Sequence, residues 1–254
     1  MNISILRFET IESTNTEAMN QAKRGADEGL CIIAKHQTAG RGRLGRTWIS
    51  PENAGLYFSI VLRPQGETRF LPLLTFAAAI AVFETLRELY ELDPDIKWAN
   101  DVHIKEKKIC GILAETAETD KGLAVILGIG INLKSPIFPP ELLETATSIE
   151  AETGKTPDYE IVLQTLIRQF SAFYKIFQSE HGAERIRHEW INRSSYAFGK
   201  EVKVSLENKT IFGKTCGIEE NGALRVETEK GEIKIIQAGD VENLRKIPTN
   251  SKPH

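Results

Sequence analysis

The sequence predicts an α+β protein: a mixed, largely antiparallel sheet with helices over residues 1–197, then a small β-barrel over residues 198–254. Runs of alternating apolar residues recur through the first part, as expected for the strands of a sheet. Apolar residues also return at helical spacing over residues 72–90 and 156–177. After Gly199, four short strand-like runs within about fifty residues are typical of a small barrel.

The first strand is predicted over residues 4–9, and a helix is expected to open near residue 13 and to end at Gly25. Thr14 and Glu17 have the spacing of a capping box, in which the Thr14 hydroxyl accepts from the Glu17 amide. In the alternative interpretation the helix start forms the polar wall of a pocket, through Ser13, Thr14 and Asn15. The local sequence leaves both interpretations open.

Two apolar strands, predicted over residues 30–35 and 56–62, are joined by a loop in which Arg41, Arg43 and Arg46 alternate with glycines. Glycine allows the backbone to approach a ligand closely, and a guanidinium group matches phosphate or carboxylate. Because no acidic residue offsets the like charges, we expect the loop to be disordered until an anion binds. A solvated basic loop without chemical function is the alternative.

The middle of the chain predicts a long helix followed by more strands. Pro72 occupies a favourable first helical position, and the apolar spacing continues to Tyr90. Strands are expected over residues 96–98, 101–104, 108–115 and 123–131. A connection rich in proline follows at Pro136, Pro139 and Pro140. Helices over residues 156–177 and 183–192 then precede the barrel, whose turns are expected at Glu207-Asn208 and Asn221-Gly222. All helices are expected on one side of the sheet.

The composition is that of an ordinary globular protein, with 41% hydrophobic residues and a formal net charge of -3, which argues against a general polyanion binder. Three widely separated cysteines, Cys31, Cys110 and Cys216, give neither a disulfide framework nor a metal motif. They favour a reducing compartment. No signal-peptide pattern or spanning apolar run is evident, and the five histidines show no metal-ligand spacing. We therefore expect a cytoplasmic protein without a metal bound by its own side chains and without membrane contact.

Six short motifs share a characteristic order along residues 8–245: Ser13–Asn15, Gln37–Trp48, Lys97–Val102, Lys108–Glu115, Gly128–Asn132 and Ala146–Ile149. Together they resemble the biotin protein ligases. The resemblance implies a class II synthetase-like fold of the biotin and lipoate ligase type, with an SH3-like C-terminal barrel. It also implies a two-step activity in which biotin and Mg-ATP give biotinyl-5'-adenylate, and biotin then passes to a lysine of a carboxylase's biotin carboxyl carrier domain.

The chemistry of the first step suits these residues. A carboxylate that attacks the α-phosphate brings two negative groups together, so fixed cations must offset their repulsion. By the resemblance, catalysis falls to Lys108, Arg43, Arg46 and Asp101. Lys108 is assigned to the biotin carboxylate and α-phosphate, whereas Lys107 is expected to be a turn residue.

The resemblance also implies the ligand contacts. Biotin is expected to meet Ser13, Thr14, Asn15, Gln37, Arg41, Gly42, Arg43, Lys108 and Gly111. The nucleotide is expected to meet Arg43, Arg46, Trp48, Asn100 and Asn132. Trp48 would pack on the nucleotide and Asn132 would read the adenine edge, with a core tryptophan and a turn asparagine as the alternatives. Asn100 and Asp101 would contact the adenylate or orient the incoming lysine.

Two departures from the family pattern matter. Ala99 replaces the usual proline, which should make the turn before Asn100 less rigid. The chain also begins directly with the catalytic motifs, so we expect no binding to operator DNA. A free sheet edge could pair into a homodimer or be covered, and the sequence leaves this open.

Two other functions fit parts of the sequence. A lipoate ligase or octanoyl transferase would share the sheet, but the Gly-Arg-Gly-Arg loop and the C-terminal barrel disfavour it. A nucleic-acid-binding module without catalysis would use the same arginines and the barrel. The acidic net charge and the few aromatic residues beside the arginines argue against that class.

Overall fold

The computed structural model describes residues 1–135, 142, 144–206 and 209–243, and it contains two sheets. The main sheet has strands β1 (Ser4–Ile11), β2 (Leu30–Gln37), β3 (Gly55–Leu62), β4 (Asp95–Lys97), β5 (Asp101–Ile104), β6 (Lys107–Thr119) and β7 (Gly122–Asn132). The helices are α1 (Thr14–Lys23), α2 (Leu73–Tyr90), α3 (Ile149–Thr153), α4 (Tyr159–Phe177) and α5 (Gly182–Ile191). The second sheet has β8 (Phe198–Ser205), β9 (Thr210–Ile218), β10 (Leu224–Glu227), β11 (Ile233–Ile236) and β12 (Asp240–Asn243).

The main sheet is mixed and largely antiparallel, as the sequence predicts. Its strand order is β1-β2-β3-β7-β6-β5-β4, and β1 runs parallel to β2, whereas the other neighbours are antiparallel. Strands β3, β7 and β6 occupy the centre of this order. The ends of these strands therefore carry the loops that meet over one region of the sheet.

Helices cover both faces of the sheet, so the expectation that they lie on one side is wrong. On one face, Leu56, Phe58 and Ile60 of β3 pack into the large core with helices α2, α4 and α5. On the other face, Val61 packs against Ala18 and other small residues of helix α1. The apolar residues of helix α1 are the buried Ala18 and Ala22 and the partly buried Met19, so its sequence gives little sign of a buried face.

Helix α2 lies in the middle of the large core. Together with the short 3₁₀ turn before it, Thr68–Tyr90 is long and apolar enough to cross a membrane by length and composition, contrary to the sequence analysis. However, 67% of its most apolar part is buried inside the protein. Phe76 stacks on Trp190 of helix α5 with ring centroids 4.6 Å apart. The apolar composition of this helix is therefore that of a core helix.

Some local predictions need correction. Thr14 and Glu17 form no capping box, because Ser13 is the N-cap residue and the Thr14 hydroxyl donates to the side chain of Gln37. Lys107 is the first residue of β6 and not a turn residue. Helix α4 begins two residues after the predicted Pro157, where the Asp158 carboxylate accepts from the Ile161 amide. Short helix α3 was not predicted. The predicted connection at Pro136, Pro139 and Pro140 and the predicted Glu207-Asn208 turn lie outside the described residues.

The C-terminal strands form an antiparallel sheet in the order β11-β10-β9-β8-β12. The predicted turn at Asn221-Gly222 is present, with Gly222 at φ 88° and the Asn221 carboxamide accepting from the Ala223 amide. This turn reaches the main domain, where the Trp98 indole donates to the Gly222 carbonyl over 2.8 Å. The peptide bond after Trp98, at Ala99, is cis. The turn thus fixes the C-terminal sheet beside the β4–β5 connection.

Candidate functional site

A cavity of about 260 Å³ lies where the arginine loop, the start of helix α1 and strands β6 and β7 meet. Every residue that the sequence analysis assigns to biotin, nucleotide or catalysis lines this one cavity: Ser13, Thr14, Asn15, Gln37, Arg41, Gly42, Arg43, Arg46, Trp48, Asn100, Asp101, Lys108, Gly111 and Asn132. The sequence separates these residues by more than a hundred positions. The fold therefore brings residues of all six motifs together around one cavity.

The start of helix α1 forms a polar wall of the cavity, which is the alternative that the sequence offered to a capping box. Gln37 Oε1 accepts from both the Thr14 amide (2.8 Å) and the Thr14 hydroxyl (3.1 Å). Its Nε2 donates to Ser50 Oγ over 2.8 Å. The Ser59 hydroxyl lies 2.7 Å from Thr14 Oγ1 and 2.6 Å from Asn15 Oδ1. All five side chains are buried, so the wall is a connected polar network and not a solvated surface.

The arginine loop has a defined backbone conformation, whereas the sequence predicts disorder until an anion binds. Arg41 and Thr47 form a bridge, and the Gly42 amide donates to the Arg46 carbonyl over 2.7 Å. A 3₁₀ turn over Arg43–Gly45 lies between these contacts. The backbone of the loop is thus tied to itself, and its charges are met by groups from other elements.

Each of the three arginines has a different partner. Arg41 forms an ion pair with Glu115 of β6 over 2.5 Å, and Arg46 forms one with Asp240 of β12. Arg43 donates instead to the neutral Asn100 Oδ1 over 2.7 Å. Carboxylates offset the like-charge repulsion for two of the arginines. The third keeps an uncompensated positive charge.

Lys108 belongs to the same lining. Its Nζ is 2.8 Å from Asp101 Oδ1, so the two groups form a close ion pair. The angles at this contact do not meet those of a hydrogen bond. The ammonium group is also 5.4 Å from the centre of the Trp48 ring system. Among the four cations that line the cavity in the described part of the chain, Arg43 is the one whose partner carries no charge. The described lining therefore carries more positive than negative charge.

Two glycines make room for Trp48. Gly111 and Gly130 are cross-strand partners of β6 and β7, and the Trp48 indole lies across both. A Cβ on Gly111 would lie 2.8 Å from Trp48 Cζ3, and one on Gly130 would lie 2.5 Å from Cε2. The indole Nε1 is buried and has no hydrogen-bond partner among the described residues. Trp48 thus belongs to the lining of the cavity and not to the hydrophobic core.

Asn100 and Asn132 are both fixed by backbone contacts. Asn100 Nδ2 donates to the Ile112 carbonyl over 2.7 Å, while its Oδ1 holds Arg43. Asn132 is buried and its Nδ2 donates to the Thr147 carbonyl over 2.9 Å. Each amide is therefore held in one orientation toward the cavity, which is the requirement for selective hydrogen bonding.

Buried titratable groups lie beside Asp101. Burial lowers the pKa of His103 to about 4, with Lys97 adding to the effect, so the imidazole is neutral at pH 7. Burial also lowers the pKa of Lys97, against the opposing charge of Asp101. Sequence patterns assign no function to His103, Glu115, Ser59 or Asp240. The signal that could have found Glu115 is its place at the end of the Lys108–Glu115 motif.

Two family models match the chain. The model described as the Biotin/lipoate A/B protein ligase family matches residues 7–132, and the Biotin protein ligase C terminal domain matches residues 197–242. The first range holds the arginine loop, Lys108 and both glycines under Trp48. The second holds Asp240, so both matches contribute to the lining of the cavity.

Relatives and solved structures agree with these models. The chain is 38% identical over 247 residues to the bifunctional ligase/repressor BirA of Bacillus subtilis, covering 95% of this chain and 74% of that protein. It is 33% identical to the biotin--[acetyl-CoA-carboxylase] ligase of Paracoccus denitrificans, covering 91% of this chain and 96% of the relative. The biotin protein ligase of Aquifex aeolicus, solved in complex with biotin and ATP, superposes with a TM-score of 0.82 at 33% identity, covering 95% of this chain and 99% of that one.

Proposed function

The chain belongs to the biotin protein ligase family, and we propose that the cavity described above carries out both steps of the family's reaction. The protein is an ATP-dependent biotin--[biotin carboxyl-carrier protein] ligase, which makes biotinyl-5'-adenylate from biotin and Mg-ATP and then biotinylates a lysine of a carrier domain. The observation that carries the assignment of residues is the uncompensated charge of Arg43, which lies in the same lining as Lys108.

In the first step the biotin carboxylate meets the α-phosphate of ATP. Two anions approach each other there, and positive groups fixed in advance lower the barrier because they need no reorganisation. Arg43 keeps its charge available because its partner is the neutral Asn100. Lys108 is held in place by Asp101 and stands 5.4 Å from the Trp48 ring. We assign the carboxylate and α-phosphate to these two cations.

The polar wall is assigned to the ureido ring of biotin. That ring carries two N–H donors and one carbonyl acceptor, so its site must offer both acceptors and donors without water. Thr14, Gln37 and Asn15 provide such groups in a buried network, next to Ser13 at the start of the helix. Gly42 and the side of Gly111 complete the biotin end of the cavity.

The nucleotide is assigned to the adjoining part of the cavity, where Trp48 lies on Gly111 and Gly130. Trp48 offers an aromatic face, Asn132 offers an oriented amide, and Arg46 is assigned to the phosphates. Within the described residues there is no group of three or more metal-binding side chains, and Asp101 and Asp240 are already paired. Mg²⁺ would therefore be held mainly by the phosphates of ATP, as is usual for this ion, where it supplies positive charge.

In the second step the acceptor lysine must lose a proton before it attacks the adenylate. Asp101 is the lining carboxylate nearest to Lys108, and its Oδ1 makes an ion pair but no hydrogen bond. We assign to Asp101 the orientation of the incoming lysine. This assignment predicts that substitutions of Asp101 slow transfer from preformed adenylate.

The carrier domain of a biotin-dependent carboxylase is the protein partner. Homodimer formation, absence of operator binding, absence of membrane contact and a cytoplasmic location stay predictions; the three free cysteines support the reducing compartment. The same applies to a division into domains after residue 197 and to closure of the C-terminal sheet into an SH3-like barrel. A gel shift with duplex DNA, biotin and ATP tests the operator prediction.

ATP-pyrophosphate exchange, run in parallel with biotin, lipoate and octanoate, tests the function. We expect exchange with biotin alone, and loss of exchange in Lys108→Ala with the protein still folded. Exchange with lipoate would move the chain to the neighbouring ligases, and full exchange in Lys108→Ala would remove Lys108 from the site. The matched control is Lys200→Ala, whose Nζ contacts Ser195 away from the cavity.

A further inference from the structure

We propose that Glu115 is a positioning residue with two effects. It determines which atoms of the polar wall donate and which accept hydrogen bonds, and it fixes the arginine loop to that wall. This inference rests on the proposed function of the wall. Glu115 lies on β6 beyond the cavity lining, and no ligand contact is assigned to it. It acts through Asn15 and Arg41, which both line the cavity.

One oxygen of Glu115 joins the two elements. Its Oε2 accepts from Arg41 Nη2 over 2.5 Å and from Asn15 Nδ2 over 2.9 Å. Arg41 belongs to the loop and Asn15 to helix α1. Strand β2 lies between these two elements in the sequence, so the Glu115 carboxylate links parts of the chain that are not adjacent. The Glu115 side chain is only 27% exposed, so solvent screens these contacts less than those of a surface pair.

The carboxylate determines which way the Asn15 amide points. Asn15 Nδ2 faces two acceptors, Glu115 Oε2 and the Leu113 carbonyl at 3.4 Å. A flipped amide would place its oxygen against both of them, which is unfavourable for a buried group. Asn15 Oδ1 is therefore held toward Ser59, and it lies against the bare backbone of Gly128, where a Cβ would come within 2.1 Å of it.

This orientation determines the direction in which the hydroxyl groups of the polar wall donate their hydrogen bonds. Gln37 Oε1 and Asn15 Oδ1 can only accept, so the Thr14 hydroxyl donates to the former and the Ser59 hydroxyl to the latter. The Ser59 proton is shared between two acceptors, Asn15 Oδ1 and Thr14 Oγ1 at 2.7 Å. Thr14 Oγ1 thus accepts with one lone pair and keeps the other. That lone pair suits an N–H donor such as those of a ureido ring.

Replacing the carboxylate by an amide removes this constraint. In Glu115→Gln the new side chain can donate, so Asn15 can turn and donate to Ser59, which reverses the polarity of the wall. The ion pair with Arg41 is lost in the same variant, so the loop loses this one of its contacts with β6. Both effects weaken binding of biotin. The contacts of Arg43 with Asn100 and of Arg46 with Asp240 remain, so the groups assigned to ATP stay in place.

The experiment is a measurement of biotin affinity by calorimetry together with steady-state ATP-pyrophosphate exchange. For Glu115→Gln we expect a loss of biotin affinity of about tenfold, because charge-assisted hydrogen bonds are replaced by weaker ones. The KM for biotin should rise by a similar factor, while the KM for ATP and kcat at saturating biotin stay near those of the unchanged protein. The control is Glu118→Gln, an exposed glutamate on the same strand.

Two further variants separate positioning from general damage. Arg41→Met removes the loop contact at an exposed side chain, and it serves if Glu115→Gln does not fold. Asn15→Ala combined with Glu115→Gln should cost no more than the worse single variant, because both act on one hydrogen-bond chain. Losses that multiply, or unchanged biotin affinity in Glu115→Gln and Arg41→Met, would overturn the proposal. Absence of exchange with biotin in the unchanged protein would instead overturn the proposed function.

Discussion

Arg46 of the arginine loop forms an ion pair with Asp240 of strand β12, so the C-terminal sheet supplies a side chain to the cavity of the main domain. The two residues are 194 positions apart in the sequence. Trp98 and Gly222 make a second contact between the same parts of the protein. The position of the loop therefore depends on both domains that the sequence predicts.

Asp240→Asn should loosen the loop without unfolding the protein. Arg46 is 67% exposed, so the pair is screened by solvent and contributes at most about 1 kcal/mol. We expect the KM for ATP to rise by about two- to fivefold and biotinyl-adenylate to leave the site faster. Rapid-quench and dialysis measurements of adenylate retention check this.

The control for that variant lies two residues further along β12. Glu242→Gln removes the pair with Lys203, which does not line the cavity. It should leave adenylate retention unchanged. High salt should reduce the difference between Asp240→Asn and the unchanged protein, because it screens the Arg46 pair. A salt-independent difference would contradict an electrostatic origin.

Arg43→Ala should affect the intermediate more than the substrate. Arg43 carries the uncompensated charge of the lining, so its loss removes attraction for phosphates while the ureido wall stays intact. We expect biotin affinity to fall only a few-fold and adenylate formation to slow by about a hundredfold, the size found for removed oxyanion contacts. Adenylate should also leak into solution. Arg185→Ala, on the exposed part of helix α5, is the matched control.

The residues that the sequence indicates as functional line one cavity, because they lie in short motifs at strand ends and in one loop. Their functions stay predictions. Sequence patterns did not indicate Ser59, Glu115 or Asp240. Ser59 is the polar member of an alternating strand that is buried on both faces, and a single serine there carries no signal. Asp240 meets Arg46 only after two sheets have formed. Pairing between distant elements is set by tertiary packing, which local patterns do not record.

The location of the helices was harder to predict for a similar reason. Strand β3 alternates in a way that indicates one buried face, but all eight of its residues are buried. The second layer comes from helix α1, which buries only small or polar residues such as Ala18, Ala22 and Asn15. An amphipathic pattern cannot be seen in a helix of that composition.

Gly130→Ala should displace Trp48 from the cavity lining. A Cβ at Gly130 would lie 2.5 Å from Trp48 Cε2, a distance that requires the indole to move. The loop that carries Trp48 must then shift, so we expect the KM for ATP to rise by about tenfold with little loss of stability. Trp48→Leu in the same background should recover part of the KM, since the smaller side chain relieves the contact. Failure of this rescue would show that Gly130 acts by another route.

The pH dependence of stability should report on His103. Its pKa is about 4 in the folded protein, mainly because of burial, against about 6.5 for a free histidine. Between these values the unfolded chain binds more protons than the folded protein, so the free energy of unfolding rises with pH across that window. The full contribution is about 3 kcal/mol; it is present above pH 6.5 and is lost as the pH falls to 4.

His103→Gln should therefore flatten the profile between pH 4 and 6.5, measured as the free energy of unfolding by urea titration at several pH values. Glutamine can still donate to the Glu106 carbonyl that Nδ1 contacts, and it does not titrate. The exposed His181 is the matched control, and His181→Gln should leave the slope unchanged. Lys97, Asp101 and Lys108 act on the same group. In Asp101→Asn the carboxylate that favours protonated His103 is absent, so the rise in the free energy of unfolding should begin at a lower pH. An equal slope in His103→Gln and the unchanged protein would assign the pH dependence to other groups.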